Sequence, residues 1–383
     1  MARVKPHIPA LNLREAGGFK ILKEFNKGGR MGTRRRLENQ YRRFPWLTDI
    51  GGIKNAIGEM RGLGYPRQPR LNTASIGQEA EPLFDAPWFT KSIQEKILTH
   101  PDNRMEYPFS GERIFEEPLV GFVRGDDPLF QEFKRIIGPH HFTPAEIMAW
   151  QARNNGVAPP PAEDMSVVVF VMPITRKTKE ENAAQQAWPS ERWAQTRLLG
   201  EIFSQTVTRE VVTFLMSKGV LAVSPDATPL FRKKHYPKVG WASPWSHRHI
   251  AYAAGLGTFG MHDFFITEKG CAHRMGSFVV NLRLEPDRQR PADIHAYCRQ
   301  YQGRTCLKCA RRCPVEAITL EHGHDKENCS KRIVRSLPYC NRNYHIFIYG
   351  CGLCSTGVPC ESGIPDDLRA NATQKPGDHS SDS

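Results

Sequence analysis

The sequence predicts an α/β domain followed by a small, cysteine-rich, metal-binding module. Val167-Val-Val-Phe-Val-Met172 is a continuous apolar run, the pattern of a strand buried on both faces. Between Ser190 and Lys218, the residues Leu199, Phe203, Val207, Val211 and Leu215 recur every fourth position, which gives a helix one apolar stripe. Nine of the ten cysteines lie between residues 298 and 360, eight of them in short, ordered spacings.

The elements follow in order. Residues 1–40 are rich in Gly, Arg and Lys with weak apolar periodicity, so a loose basic segment is expected. Residues 41–158 read as a loop-rich region with short helices. Within it Leu119–Val123 forms a short strand, and Pro128–Ile137 a short helix closed by Gly138. Thr143-Pro144-Ala-Glu146 is a helix start with Pro at the first position, and that helix runs to about Asn154. Residues 159–290 are the α/β domain. Ser190 caps its long helix, Gly219 stands where a C-terminal glycine is expected, and Val220–Val223 is a second strand. The result is a strand–helix–strand unit. Ser246 caps another helix ending at Gly255, and Phe264–Thr267 and Ser277–Leu282 are expected to pair as strands. Residues 291–365 are the cysteine module, in which Val315–Ile318 forms a short helix after Pro314. Residues 366–383 are polar and expected to be a disordered tail.

The cysteines run Cys298-x7-Cys306-x2-Cys309-x3-Cys313-Pro314, then Cys329, then Cys351-x2-Cys354-x5-Cys360. Cys-x2-Cys-x3-Cys-Pro is close to the bacterial ferredoxin signature, in which the Cys before Pro ligates the other of two clusters. Eight thiolates fill two [4Fe–4S] clusters. By the crossing rule, Cys298, Cys306, Cys309 and Cys360 hold one, and Cys313, Cys329, Cys351 and Cys354 the other. Zinc is the rival metal, but zinc knuckles come in matched pairs and need neither Cys-Pro nor an interleaved fourth ligand. Disulfides belong to oxidising compartments, and nothing in the sequence points to export. Cys271 and Cys340 are left over. They read as buried thiols, with Cys340 the alternative ligand to Cys329.

The chain has 383 residues, room for one large or two medium domains, and a net charge of +13. No run of 18 apolar residues exists, which excludes a transmembrane helix. The N-terminus lacks an apolar signal core, so a cytoplasmic protein is expected. Residues 1–70 hold 16 Lys+Arg against 5 Asp+Glu, nearly all of the surplus. A basic arm can bind nucleic acid, an anionic surface or an acidic protein. Lys308, Arg311 and Arg312 lie inside the cluster motif, placed to dock an acidic electron carrier.

Ala254-Gly-Leu-Gly-Thr-Phe-Gly260 precedes His262-Asp-Phe-Phe-Ile-Thr267 and Arg274-Met-Gly-Ser-Phe278. Its three glycines let backbone approach something closely, whether a flat ligand or the chain itself in a tight helix-to-strand turn. As a dinucleotide fingerprint it fails, because a helix precedes it and a strand follows. Candidate substrate-side groups are His247, His249 and Arg274. Histidine exchanges protons near neutrality, and an arginine can hold an anion.

An α/β domain, AGLGTFG, a strand pair ending in Gly-Ser and a two-cluster module, in that order, resemble the epoxyqueuosine reductase and reductive dehalogenase superfamily over roughly residues 160–365. The resemblance implies a nitroreductase-like fold that holds cobalamin base-off, with Gly255, Gly257, Thr258, Gly260, Gly276 and Ser277 as its cofactor-binding positions. It implies a ferredoxin-like module of two [4Fe–4S] clusters that feeds in electrons. The implied partners are a ferredoxin or flavodoxin and a small-molecule substrate, and the basic N-terminus adds tRNA. The activity expected is that of an oxidoreductase, a corrinoid-dependent iron–sulfur reductase. The alternative is a corrinoid-free electron-transfer protein serving a partner enzyme. The chain departs from epoxyqueuosine reductases in several places. Gly303 occupies the slot of their first motif cysteine, Pro359-Cys360 replaces Cys-Pro, and Trp241 stands where they carry a proton-donating Asp. Asp226 is the nearest upstream acid and is not aligned with it.

Overall fold

The computed structural model describes residues 68–76, 84–237 and 239–372. The basic segment 1–40 and the last eleven residues lie outside that range.

Helix α1, Ala86–Thr99, starts where the Asp85 carboxylate accepts the Trp88 N–H, and it buries Phe89, Ile93 and Ile97 at fourfold spacing. Strand β1, Leu119–Arg124, follows. Helix α2, Leu129–Ile136, buries Phe130 and Phe133. Helix α3, Pro144–Asn155, opens on a capping box between Thr143 and Glu146 and closes on Gly156 at φ 68°. Strand β2, Ser166–Pro173, is buried along its whole length, as its apolar run requires. Helix α4 spans Arg176–Ala183. Helix α5, Glu191–Ser217, has 27 residues and is capped by Ser190 onto the Trp193 N–H. Then come β3, Ala222–Val223, and the hairpin β4, Lys234–Tyr236, with β5, Gly240–Ala242. Helix α6, His247–Ala253, leads into β6, Gly257–Phe259, β7, Phe265–Thr267, and β8, His273–Val280. The cysteine region holds α7, Lys308–Arg312, the small ribbon β9, Ile318–Thr319, with β10, Gly323–His324, and α8, Lys326–Tyr344.

The fold is mixed α/β. Its main sheet has the order β1-β2-β8-β3 with antiparallel neighbours throughout. Helices α1, α3, α5 and α6 pack on it. The strand–helix–strand unit β2-α5-β3 is present, but its two parallel strands do not touch, because β8 lies between them. The expected pairing of Phe264–Thr267 with Ser277–Leu282 is corrected. β7 pairs with β6, Thr258 opposite Ile266, while β8 pairs with β2, Val168 opposite Phe278. Phe278, Val279 and Val280 are fully buried in the main sheet, with α5 and α6 packed on it.

The expected helix at 315–318 is also corrected. Cys313 is extended at φ −75°, ψ 114°, as a residue before proline prefers. The Ala317 N–H then donates to the Cys313 sulfur at 3.2 Å and not to a helical carbonyl. The described part of the 366–383 segment is ordered. Asp366–Ala372 is a short 3₁₀ helix whose Leu368 is buried, and Asp367 pairs with Arg299 at 3.0 Å.

Two apolar cores result. The larger fills the space around the sheet. The smaller joins Met261, Ile266 and Cys271 to Tyr297, Ile318, Val358 and Leu368. The cysteine region therefore shares a core with β7, and the chain from Gln68 onward is one unit. Among the described residues, no helix is long and apolar enough to cross a membrane.

Candidate metal centre

Cys298, Cys306, Cys309 and Cys360 line one pocket, with Met261, Tyr297, Leu307 and Val358 among its walls. The tight Cys306–Cys309 loop is made by Leu307, which adopts a left-handed conformation at φ 49° just before α7. Burial, and then the charges of Cys360, Cys298 and Cys306, push the Cys309 thiol up to about 12.

Cys313, Cys329, Cys351 and Cys354 form the second group. Cys329 lies in the first turn of α8, where burial, Cys351 and Cys313 push its thiol up to about 12. Cys354 is raised by burial and then by Cys351, Cys329, Cys309 and Cys313. The Cys309 charge thus reaches across to the second group, and the two groups adjoin. Thiols held together in this way resist ionisation, and a bound cation removes that resistance. Every donor is sulfur, so the set suits a soft metal or an iron–sulfur cluster. Among the described residues, the one trio of candidate ligands drawn within 4.8 Å of one another is His262, Cys271 and Cys360.

Cys340 is fully buried in α8, its thiol pushed up to about 12 by burial and then by the charge of Cys351 in the second group. Cys271 is also fully buried, but it is not isolated: its sulfur lies 3.8 Å from Cys360 Sγ and 3.7 Å from the Ser355 carbonyl. Lys308 and Arg311 are exposed. Arg312 is not free to dock a partner, because it donates to the Leu353, Asn182 and Gln185 carbonyls.

The glycine motif has its own partners. A Cβ on Gly257 would strike the Ile266 carbonyl, one on Gly260 the His262 ring, and one on Gly276 the Phe170 ring. Gly255, at φ 72°, backs onto the Gln289 carbonyl, and Thr258 Oγ1 accepts the Tyr297 N–H at 3.0 Å. These positions face the chain itself, since β6 folds back on β7. On their Cβ sides, Gly257 and Gly260 are packed against the chain.

Ser277, at the middle of β8, takes part in a polar chain. Trp245 Nε1 donates to Ser277 Oγ at 2.9 Å, His247 Nδ1 lies 2.7 Å from that oxygen, and His247 Nε2 lies 3.5 Å from Asp226. Asp226 sits in a three-residue 3₁₀ turn, where no local pattern signals it. Arg274 and Arg197 flank Glu201 at 3.5 and 2.8 Å. Burial would raise the Glu201 carboxyl, but Arg197, Arg274, Lys233 and His247 hold it down to about 2. His249 does not join this group. Its ring packs on Phe133 and Phe259, and its Nδ1 meets Ser246 Oγ at 2.8 Å.

No protein-family model matches the chain. A stretch of 121 residues, 30% of the chain, is 33% identical to tetrachloroethene reductive dehalogenase of Desulfitobacterium hafniense and covers 20% of it. The tetrachloroethene reductive dehalogenase of Dehalobacter restrictus matches at the same 33% over 121 residues, with the same coverage of 30% and 20%. The chain spans about a fifth of the length of these curated relatives. Among solved structures, a reductive dehalogenase studied for B12-dependent dehalogenation aligns at a TM-score of 0.45 and 16% identity, over 84% of this chain and 38% of that one. An epoxyqueuosine reductase with a tRNA stem loop aligns at a TM-score of 0.39 and 15% identity, over 75% and 70%. Over that stretch the chain is similar to the tetrachloroethene reductive dehalogenases, which supports the resemblance to the epoxyqueuosine reductase and reductive dehalogenase superfamily.

Proposed function

We propose that the chain is an iron–sulfur oxidoreductase that takes electrons from a ferredoxin or flavodoxin and passes them through two [4Fe–4S] clusters toward a small-molecule substrate. The observation that supports this reading is that Cys298, Cys306, Cys309 and Cys360 line one pocket, while Cys313, Cys329 and Cys351 act on Cys354 beside it. Tetrahedral zinc with bonds of about 2.3 Å draws its sulfurs to about 3.8 Å of one another. The Cys-x2-Cys-x3-Cys-Pro spacing favours a cluster, in which each thiolate meets a separate iron. The clusters would supply one-electron transfer at low potential. The protein's part is to exclude water with Met261, Tyr297 and Val358, to donate N–H groups to sulfur, and to present Lys308 and Arg311 to an acidic donor. On the substrate side, His247 can hold or release a proton between Ser277 and Asp226, and Arg274 offers positive charge.

In this reading residues 159–290 have the nitroreductase-like role and residues 291–365 the ferredoxin-like one. A corrinoid is the second cofactor that the resemblance implies. Gly255, Gly257, Thr258, Gly260, Gly276 and Ser277 are the positions that would hold it, and the Cβ sides of Gly257 and Gly260 are already filled by the Ile266 carbonyl and the His262 ring. Their packing favours a second reading, a corrinoid-free electron carrier for a partner enzyme.

Anaerobic reconstitution tests the clusters. About eight iron and eight sulfide per chain are expected, with visible absorbance that dithionite bleaches. Stoichiometric zinc without sulfide ends the reading. Cobalt separates the two versions. About one cobalt per chain after growth with cobalamin selects the corrinoid reductase, and none after both co-expression and reconstitution selects the carrier.

A further inference from the structure

We infer that His262 tunes the cluster held by Cys298, Cys306, Cys309 and Cys360, by donating a hydrogen bond to the Cys360 sulfur. This rests on the proposed clusters and adds a residue to which the sequence assigns no role. The His262 ring is 1% exposed, and its Nε2 lies 3.7 Å from Cys360 Sγ. The tautomer follows from the other side of the ring. The Phe264 N–H points at Nδ1 from 3.3 Å, so Nδ1 accepts and the proton sits on Nε2, facing sulfur. Gly260 belongs to the same device, because any Cβ there would occupy the space of the ring.

Cys271 completes the surroundings. Its backbone N–H donates to the Cys360 carbonyl at 2.8 Å, and its thiol lies 3.8 Å from Cys360 Sγ. The thiol has a second acceptor, the Ser355 carbonyl at 3.7 Å. The imidazole is therefore the donor committed to Cys360, and Cys271 the shared one.

A cluster that gains one electron becomes more negative, and that charge spreads onto its thiolates. A donor aimed at a thiolate stabilises the reduced form more than the oxidised one and raises the potential. No proton needs to move and no bond in His262 breaks, because the electron comes from the reductant alone.

The test is a dithionite titration of the reconstituted protein, followed by electron paramagnetic resonance. His262→Phe keeps an aromatic ring of similar size and removes the donor. Its first cluster is expected to shift about tenfold toward the oxidised form, about 59 mV more negative for a one-electron couple. His262→Gln, which keeps an N–H donor, should stay nearer to the parent. Cys271→Ala should move the potential less than His262→Phe. The second cluster should hold its potential in every variant and serves as the internal reference. The Fe–S(Cys) stretching frequencies in resonance Raman spectra should change in His262→Phe as well. Unchanged potentials and spectra in His262→Phe would overturn the inference while leaving eight iron and eight sulfide in place. Loss of half the iron from both His262→Phe and His262→Gln would also overturn it, making His262 a structural residue or a ligand. A parent protein without sulfide would instead overturn the clusters themselves.

Discussion

Cys309 and Cys354 stand where the two cysteine groups meet, since each belongs to a different group and the charge of one acts on the other. Replacing either with Ser takes one thiolate from a set of four. Each variant should keep about half the iron and sulfide, about four of each, and the loss should fall on a different cluster. Cys340→Ser should lose none if Cys329, on which both Cys351 and Cys313 act, is the ligand; iron loss there would put Cys340 in its place. A different kind of residue-scale effect belongs to the buried histidines. Burial pushes His249 down to about 3, and His141 and His273 down to about 4. An unfolded histidine titrates near 6.5. Below about pH 6.5 the unfolded chain binds protons that the folded one refuses, so stability falls as pH drops from about 6.5 toward 3. His249 alone accounts for at most about 2 kcal/mol of that loss at pH 5. His249→Phe should therefore lose less stability between pH 7 and pH 5 than the parent, read from urea midpoints. Equal losses in the two proteins would clear His249.

At the scale of elements, local chemistry and long-range pairing part company. β2 and α5 were legible because an unbroken apolar run and a fourfold stripe each specify burial without reference to the rest of the chain. The Thr143 and Ser190 caps were legible for the same reason. β8 was legible as a strand but not as a neighbour of β2, since its partner lies about a hundred residues away and is chosen by which sheet buries both its faces. The cysteines were legible because ligand spacing survives in sequence. The link between His247 and Asp226 was not, because a 3₁₀ turn of three residues carries no periodicity. The glycines were legible as close-approach positions but not for what they approach, because close approach has no direction in sequence: room for a ligand and room for the Ile266 carbonyl look the same. Gly200, inside α5, shows the energetic side of such packing. Ala there gains about 1 kcal/mol of helix propensity. Its Cβ would lie 2.6 Å from the fully buried Phe115 ring, itself stacked on Phe203. Overpacking of that kind costs about 1–3 kcal/mol, so Gly200→Ala should lower the melting temperature. A rise would mean that Phe115 yields freely.

At the scale of the whole molecule, charge is the open variable. The chain carries +13, and residues 1–70 hold 16 Lys+Arg against 5 Asp+Glu. Exposed charge acts over about a Debye length and is screened by salt, so it governs encounter more than fold. Three basic residues of the cysteine motif separate these two roles. Arg312 spends its guanidinium on three backbone carbonyls, and Arg312→Ala should destabilise by about 1–3 kcal/mol. Lys308 and Arg311 are exposed and lie in α7 beside Cys309. The pair Lys308→Glu and Arg311→Glu should leave melting temperature and iron content unchanged. It should slow reduction by an acidic ferredoxin, and the rate should lose much of its dependence on salt. Deleting residues 1–40 extends the same experiment to the basic arm, whose composition points to docking. If the arm docks the donor, the deletion slows reduction and the charge-reversed pair slows it further. If the arm serves tRNA instead, reduction keeps its rate and the salt-sensitive binding of tRNA is what disappears. A truncated chain that loses iron or melts early would give the arm a part in folding, and the division of charge between arm and motif would fail.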